Sequence, residues 1–444
     1  MFSTLVHLFK ANALSVPGVF NNDKKALVCF LLGGGNDSFN MLIPRGDAEY
    51  QQYADTRTDL AILQNELRPI NPITPHGIEF GLHPNMGGVQ QLFEDGNLAF
   101  LANVGTLVEP LLNEDDYRNK LRPQRLFSHS DQREQWQTSI PIDSSGLGWG
   151  GRTAEILSSM NENQAISMNI SLEGKNIFQS SNTLLEYSIS RDGNGAKLID
   201  PMFSGNANEG YLNLIRNNTT DDILGQNYQN IFERTLAGQT TQSIEASAFF
   251  AQAIAAVPPF TTAFSDNNLS EEFSMIAKSI AARDMLGMSR QIFFVSQGGY
   301  DNHNSFINHS DRLLEASNAL SEFYAVLQEL GVENDVVTFT ISDFGRTLTS
   351  NGNGSDHAWG GNAMVMGGAV NGKEVYGSYP EISADIPLSV SSRGKLIPTT
   401  SCDEYFAELI SWFGVSNGDI PYVLPNIGNF YSVGSTTPPI GFLL

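Results

Sequence analysis

Val336-Val337-Thr338-Phe339-Thr340-Ile341-Ser342-Asp343-Phe344-Gly345-Arg346 is a β-branched and aromatic run that ends on an acid and a glycine. Two other stretches have the same form. Leu27-Val28-Cys29-Phe30-Leu31-Leu32 leads into Gly33-Gly34-Gly35-Asn36-Asp37, and Ile292-Phe293-Phe294-Val295-Ser296 leads, past Gln297, into Gly298-Gly299-Tyr300-Asp301-Asn302-His303. Near-continuous apolar runs suit strands covered on both faces. Ligands of parallel α/β sheets bind outside the carboxyl ends of the strands, so Asp37, Asp301, His303 and Asp343 are expected to meet at one edge. Carboxylates gathered there repel one another, and a cation is the simplest neutraliser.

Working outward, helical and strand patterns alternate. A helix is expected from Asp47, another near Val89–Phe93, and a strand over Leu98–Val104. Ser128 stands where it can cap a helix through Trp136, and Ile244–Val257 is stopped by Pro258-Pro259. Phe273, Ile276 and Ile280 share a helix face, as do Leu313, Leu320, Phe323, Leu327 and Leu330. The order strand, helix, strand around the last of these is what a parallel sheet with right-handed crossovers requires. The expected fold is therefore α/β: a doubly wound, mostly parallel central sheet with helices on both faces. Residues 1–24 read as an amino-terminal segment with some features of an export remnant, 25–430 as one domain and 431–444 as a tail. An Asn-, Ser- and Gly-rich insertion at about 174–238 reads either as a cap over the working edge of the sheet or as decorated surface loops.

The net charge of −23 disfavours nucleic acid and anionic membranes as main partners. No apolar run approaches the roughly 20 residues needed to cross a bilayer. The two cysteines, Cys29 in a strand and Cys402 near a helix start, leave the redox compartment open.

Histidine is scarce, and three of the seven lie close to acids: His129 near Asp131, His303 near Asp301, and His357 beside Asp356. Mixed imidazole and carboxylate ligation suits Zn, Mn or Fe, and a carboxylate-rich site suits Mg or Ca. Each histidine taken singly also fits an ordinary hydrogen-bonded side chain.

Leu31-Leu32-Gly33-Gly34-Gly35-Asn36-Asp37-Ser38-Phe39-Asn40, Ser128-His129, Gly298-Gly299-Tyr300-Asp301-Asn302-His303, Ser342-Asp343-Phe344-Gly345-Arg346-Thr347 and Asp356-His357 occur in that order. Together they resemble the successive signatures of the bacterial domain-of-unknown-function family 1501, a branch of the alkaline phosphatase and sulfatase superfamily. The resemblance implies a hydrolase of phosphate or sulfate esters, dependent on a divalent metal (Zn, Mg, Mn or Ca), with a small-molecule or carbohydrate ester as substrate. It also implies a periplasmic or extracellular location. By position Asp37, Asp301, His303, Asp343 and His357 resemble the metal ligands and Ser128 the nucleophile, with Ser130 in reserve. Arg346 or Arg125 resembles the cation that meets transition-state charge. Superfamily enzymes commonly carry histidine after the later aspartate, where this chain has Phe344. One ligand sphere is thereby expected to be incomplete or completed by another residue such as His129, which is also placed among the catalytic residues. The alternative is a non-catalytic surface or scaffold protein that keeps the fold with a degraded metal site.

Overall fold

In the computed structural model, residues 23–142, 146–195 and 209–443 are described; the expected export remnant falls almost wholly outside them, as do residues 196–208 of the insertion. Twelve strands are described: β1 Lys25–Leu32, β2 Leu42–Pro44, β3 Arg68–Ile70, β4 Phe80–Leu82, β5 Leu98–Gly105 and β6 Asn169–Ser171 are followed by β7 Tyr187–Ser188, β8 Arg290–Gln297, β9 Val336–Ser342, β10 Gly361–Met366, β11 Val375–Tyr376 and β12 Thr400–Ser401. Nine of them form one sheet in the order β11-β5-β10-β9-β1-β8-β6-β7, with β12 also paired to β5. Its pairings are parallel except those of β10, which runs antiparallel to β5 and β9. β2, β4 and β3 make a separate small antiparallel sheet.

Both faces of the large sheet are covered, which is why its central strands carry no polar alternation. Val28, Phe30 and Leu32 of β1 point into one core with Phe273, Ile276, Leu320 and Phe323, from the helices Asn268–Ala281 and Ile307–Leu330. Leu27, Cys29 and Leu31 point into the other with Trp136, Trp149, Phe406 and Leu409, from the helices His129–Thr138, Trp149–Leu157 and Cys402–Phe413. Cys29 and Cys402 are both buried and free.

Register decides where the site forms. Leu32 of β1 pairs with Gln297 of β8 and with Ser342 of β9, so the three strands end level. The loops that carry Asp37, Asp301 and Asp343 thus leave the sheet side by side.

Within the insertion a helix spans Glu209–Leu224, around the Tyr211-Leu212-Asn213-Leu214-Ile215 stretch whose sequence reads as helical, and a second, Ile231–Ala255, starts 13 residues before the expected Ile244. The far end of the second helix packs on the edge strand through the Phe250–Tyr187 ring contact.

Candidate metal centre

The loop after β1 is shaped by glycines that no other residue replaces. Gly34 (φ +114) and Gly35 (φ +80) are left-handed; a Cβ on Gly34 would lie 2.6 Å from the Asp301 amide nitrogen, and one on Gly35 would collide with the Phe344 ring. The loops after β1, β8 and β9 therefore lie directly against one another. Arg346 pins them together. Its guanidinium is wholly buried and donates to the carbonyls of Gly35 (2.8 Å), Ser355 (3.0 Å), Tyr300 (3.1 Å) and Gly34, and to Asp301 Oδ1 at 2.6 Å.

Three imidazoles converge on Asp301. Nε2 of His303, His129 and His357 lies 3.3, 3.6 and 3.8 Å from its carboxylate oxygens. The opposite nitrogen of each ring faces an oxygen: Nδ1 of His129 meets Asp343 Oδ2 at 2.7 Å, Nδ1 of His303 meets Asp356 Oδ1 at 3.0 Å, and Nδ1 of His357 meets the Phe127 carbonyl at 2.7 Å. A carbonyl or an ionised carboxylate only accepts, so each Nδ1 carries the proton and each neutral ring presents its Nε2 lone pair to the centre. Histidines that hold metals are oriented in this way. Nε2 of His129 and of His357 is buried and without a hydrogen-bond partner among the described residues. One donor atom each from His129, Asp301 and His357 falls within 4.8 Å of the other two. Lone pairs facing an anion across a gap of that size repel one another unless a cation lies between them, and this donor set fits a divalent ion.

The surroundings fix the electrostatics. Asp343 is fully buried, takes two parallel bonds from Arg133 (both 3.0 Å) and a third from the Gly34 amide at 3.3 Å. That fork with Asp343 holds the Arg133 guanidinium above its ordinary pKa. For Asp301, partial burial pushes its acidity down, but the bond and charge of Arg346 work against it and the carboxyl stays below its usual range. Desolvation lowers the His357 pKa against the pull of the Phe127 carbonyl. Phe344 packs against His129 and His357 at ring-centre distances of 4.7 and 4.5 Å.

The helix that presents His129 begins at a strained corner. Arg125 (φ +50) and Phe127 (φ +72) are left-handed without being glycine, a costly backbone that turns the Phe127 carbonyl toward His357. Ser128 occupies the cap position but makes no backbone cap bond; its hydroxyl donates to Asp131 Oδ2 at 2.5 Å.

The residues expected from the sequence thus divide. Asp301, His303 and His357 converge as expected, and His129 joins them. Asp37 is not part of this group: its Oδ2 lies 2.5 Å from Arg57 Nη2 in a pair with no exposed surface, so a guanidinium does the neutralising that was expected of a metal. Asp343 also lies behind the centre, because Arg133, His129 and Gly34 already occupy its oxygens. Arg346 is not a free cation for a substrate, since carbonyls and Asp301 use its donors. Arg125 is exposed and paired with Asp131 at 3.1 Å. Sequence reasoning missed Arg133, although its place four residues after His129 puts both on one helix face. Arg57 and the Phe127 carbonyl carried no sequence signal.

The chain belongs to the family described as protein of unknown function (DUF1501), which matches residues 24–400. No curated protein matches it. Among solved structures, PsFucS1 sulfatase from Pseudoalteromonas sp. is 10% identical, with a TM-score of 0.37, covering 93% of this chain and 72% of that one. Ps i-CgsB, solved in complex with k-i-k-neocarrahexaose, is 7% identical, with a TM-score of 0.33 and coverage of 91% and 77%. A mutant of the alkaline phosphatase PafA is 8% identical, with a TM-score of 0.29 and coverage of 73% and 63%. No helix among the described residues is long and apolar enough to cross a membrane.

Proposed function

We propose that this DUF1501 member is a metal-dependent hydrolase of phosphate or sulfate esters, acting outside the cytoplasm on a small or carbohydrate-linked ester. One observation carries the reading: three imidazoles, each with Nδ1–H tied to an oxygen, turn their Nε2 atoms toward Asp301. In this reading His129, Asp301, His357 and His303 hold one divalent ion, with Zn or Mn favoured by the imidazole-rich set. The ion would supply positive charge for the non-bridging oxygens of the ester and ease ionisation of a nearby hydroxyl.

The chain supplies the rest. Ser128, immediately before His129 in sequence, is the nucleophile, and Asp131 orients its hydroxyl and accepts its proton. The new bond runs from Ser128 Oγ to phosphorus or sulfur as the ester oxygen departs, and water then cleaves the seryl ester. Asp343 and Arg133 keep His129 in the ligating tautomer.

The rival reading, a scaffold that retains a structural ion, draws on the pairing of Asp37 with Arg57, which removes one candidate ligand. Metal analysis with aryl phosphate, phosphodiester and aryl sulfate substrates separates the two. Bound metal with turnover that Ser128→Ala abolishes supports the hydrolase; tight metal with no turnover in wild type supports the scaffold.

A further inference from the structure

With Arg346 buried, any cation that grips an anionic substrate must come from elsewhere. Three carboxylates surround the centre, and each is matched by a guanidinium: Asp301 by Arg346, Asp343 by Arg133, and Asp356 by Arg393. Lys395 is the charge left over. Its ammonium makes no hydrogen bond or ion pair among the described residues, and Nζ sits 3.8 Å from the centre of the Phe127 ring. Lys395 and Arg393 lie on one hairpin, closed by the Ser389–Leu396 bridge and by the Val390 amide on the Lys395 carbonyl at 3.0 Å. This hairpin is tied to the loop after β9 by the Leu348 amide on Gly394 (3.1 Å) and the Thr349 amide on Arg393 (3.2 Å).

The placement is specific. Phe127, under Lys395, supplies the carbonyl that holds His357 and precedes Ser128. Asp356, gripped by Arg393, is the acid that holds His303. The two cations of the hairpin therefore each stand one residue behind a different imidazole. Arg393 also keeps Nη2 unpartnered though buried. In a chain of net charge −23, an ammonium without an ion-pair partner on the hairpin that carries Arg393 is a local reversal of sign.

We infer that Lys395 binds the tetrahedral oxyanion of the substrate, be it sulfate or phosphate. The inference rests on the proposed location of the active site and gives that site a preference for anionic monoesters over neutral esters. A surface ammonium donating to an anion in a half-buried site contributes about a tenfold change in affinity.

The test is calorimetric titration of inorganic sulfate and, separately, inorganic phosphate into the full chain with zinc and manganese content measured in parallel. Wild type, Lys395→Gln and Lys395→Arg are compared, with thermal unfolding as a check of folding. The expected result is anion affinity about tenfold weaker in Lys395→Gln, largely restored in Lys395→Arg, with equal metal in all three; the tighter anion names the ester. Equal affinity in wild type and Lys395→Gln, or no binding of either anion to wild type, overturns the inference. Wild type without bound divalent metal that still binds anion through Lys395 instead sinks the hydrolase reading and leaves the anion site standing.

Discussion

Nη2 of Arg346 lies 2.6 Å from Oδ1 of Asp301, the first group wholly buried and the second half exposed at the mouth of the centre. This asymmetry separates what the two residues do. Arg346→Met would strand the carbonyls of Gly34, Gly35 and Ser355 without their donor, and an unsatisfied buried polar group costs about 1–3 kcal/mol. Urea denaturation should show a loss of about 3 kcal/mol or more. Asp301→Asn, which keeps a side-chain oxygen for the guanidinium, should leave stability nearly unchanged while metal content, read by elemental analysis, falls sharply. The reverse pattern would assign Asp301 to the framework and Arg346 to the chemistry.

Asp37 and Arg57 form the counter-example. Both side chains are fully buried, and Arg57 also donates to the carbonyls of Thr347 (3.0 Å) and Leu348 (3.1 Å). Removing one partner of a buried ion pair leaves an uncompensated charge, at a cost of about 3–5 kcal/mol. Asp37→Ala is expected to destabilise by that order, with metal bound per folded molecule unchanged. A stable Asp37→Ala protein that has lost its metal would return Asp37 to the ligand set.

The strand ends were legible because glycine and acid follow each apolar run, and the level register of β1, β8 and β9 turned that pattern into proximity. His129 entered the sequence reading as a substitute ligand and among the catalytic residues, not as a first-choice ligand, since a histidine at a helix start has many ordinary uses. What the sequence concealed was commitment: whether a carboxylate faces the centre or is already taken depends on a guanidinium distant in the chain. Arg57 lies 20 residues from Asp37, and Arg133 lies 210 from Asp343. The same holds for Arg346, whose donors are used by carbonyls that no sequence pattern marks. The helix that begins at Ile231 was underestimated because its first half keeps Ile231, Phe232 and Leu236 exposed, which blurs the amphipathic pattern.

Asp403 gives a pH dependence away from the centre. Burial pushes its carboxyl up to about 7, against the opposing bonds from Ser139 (2.8 Å) and Asn426 (3.4 Å). The folded state thus holds a proton that the unfolded chain releases near its ordinary value. Stability is then greatest below that ordinary value, declines as pH rises toward about 7, and levels off above it. Asp403→Asn should flatten this decline, gaining a few kcal/mol relative to wild type at alkaline pH and little in acid. Chemical denaturation across the range reads it directly; parallel curves for the two proteins would show that Asp403 is ionised in both states.

Phe344 stands where the resemblance drawn from the sequence led a histidine to be expected, and its packing shows what it does in that place. The ring is 1% exposed, touches His129 and His357, lies under the Arg346 guanidinium at 5.6 Å, and fills the space that a side chain on Gly35 would need. It acts as a wall that stops both imidazoles from rotating about their Nδ1 anchors. Phe344→Ala should cost about 3–5 kcal/mol through the cavity it opens. Phe344→Leu keeps most of the volume and should cost less, yet it removes the flat face against which the rings align. Loss of such support around metal-holding histidines typically weakens metal affinity by about 10- to 100-fold. Competition with a chelator should therefore show weaker metal binding in Phe344→Leu than in wild type, at a stability close to wild type. Unchanged affinity in that variant would mean that the Nδ1 anchors alone hold the imidazoles in place.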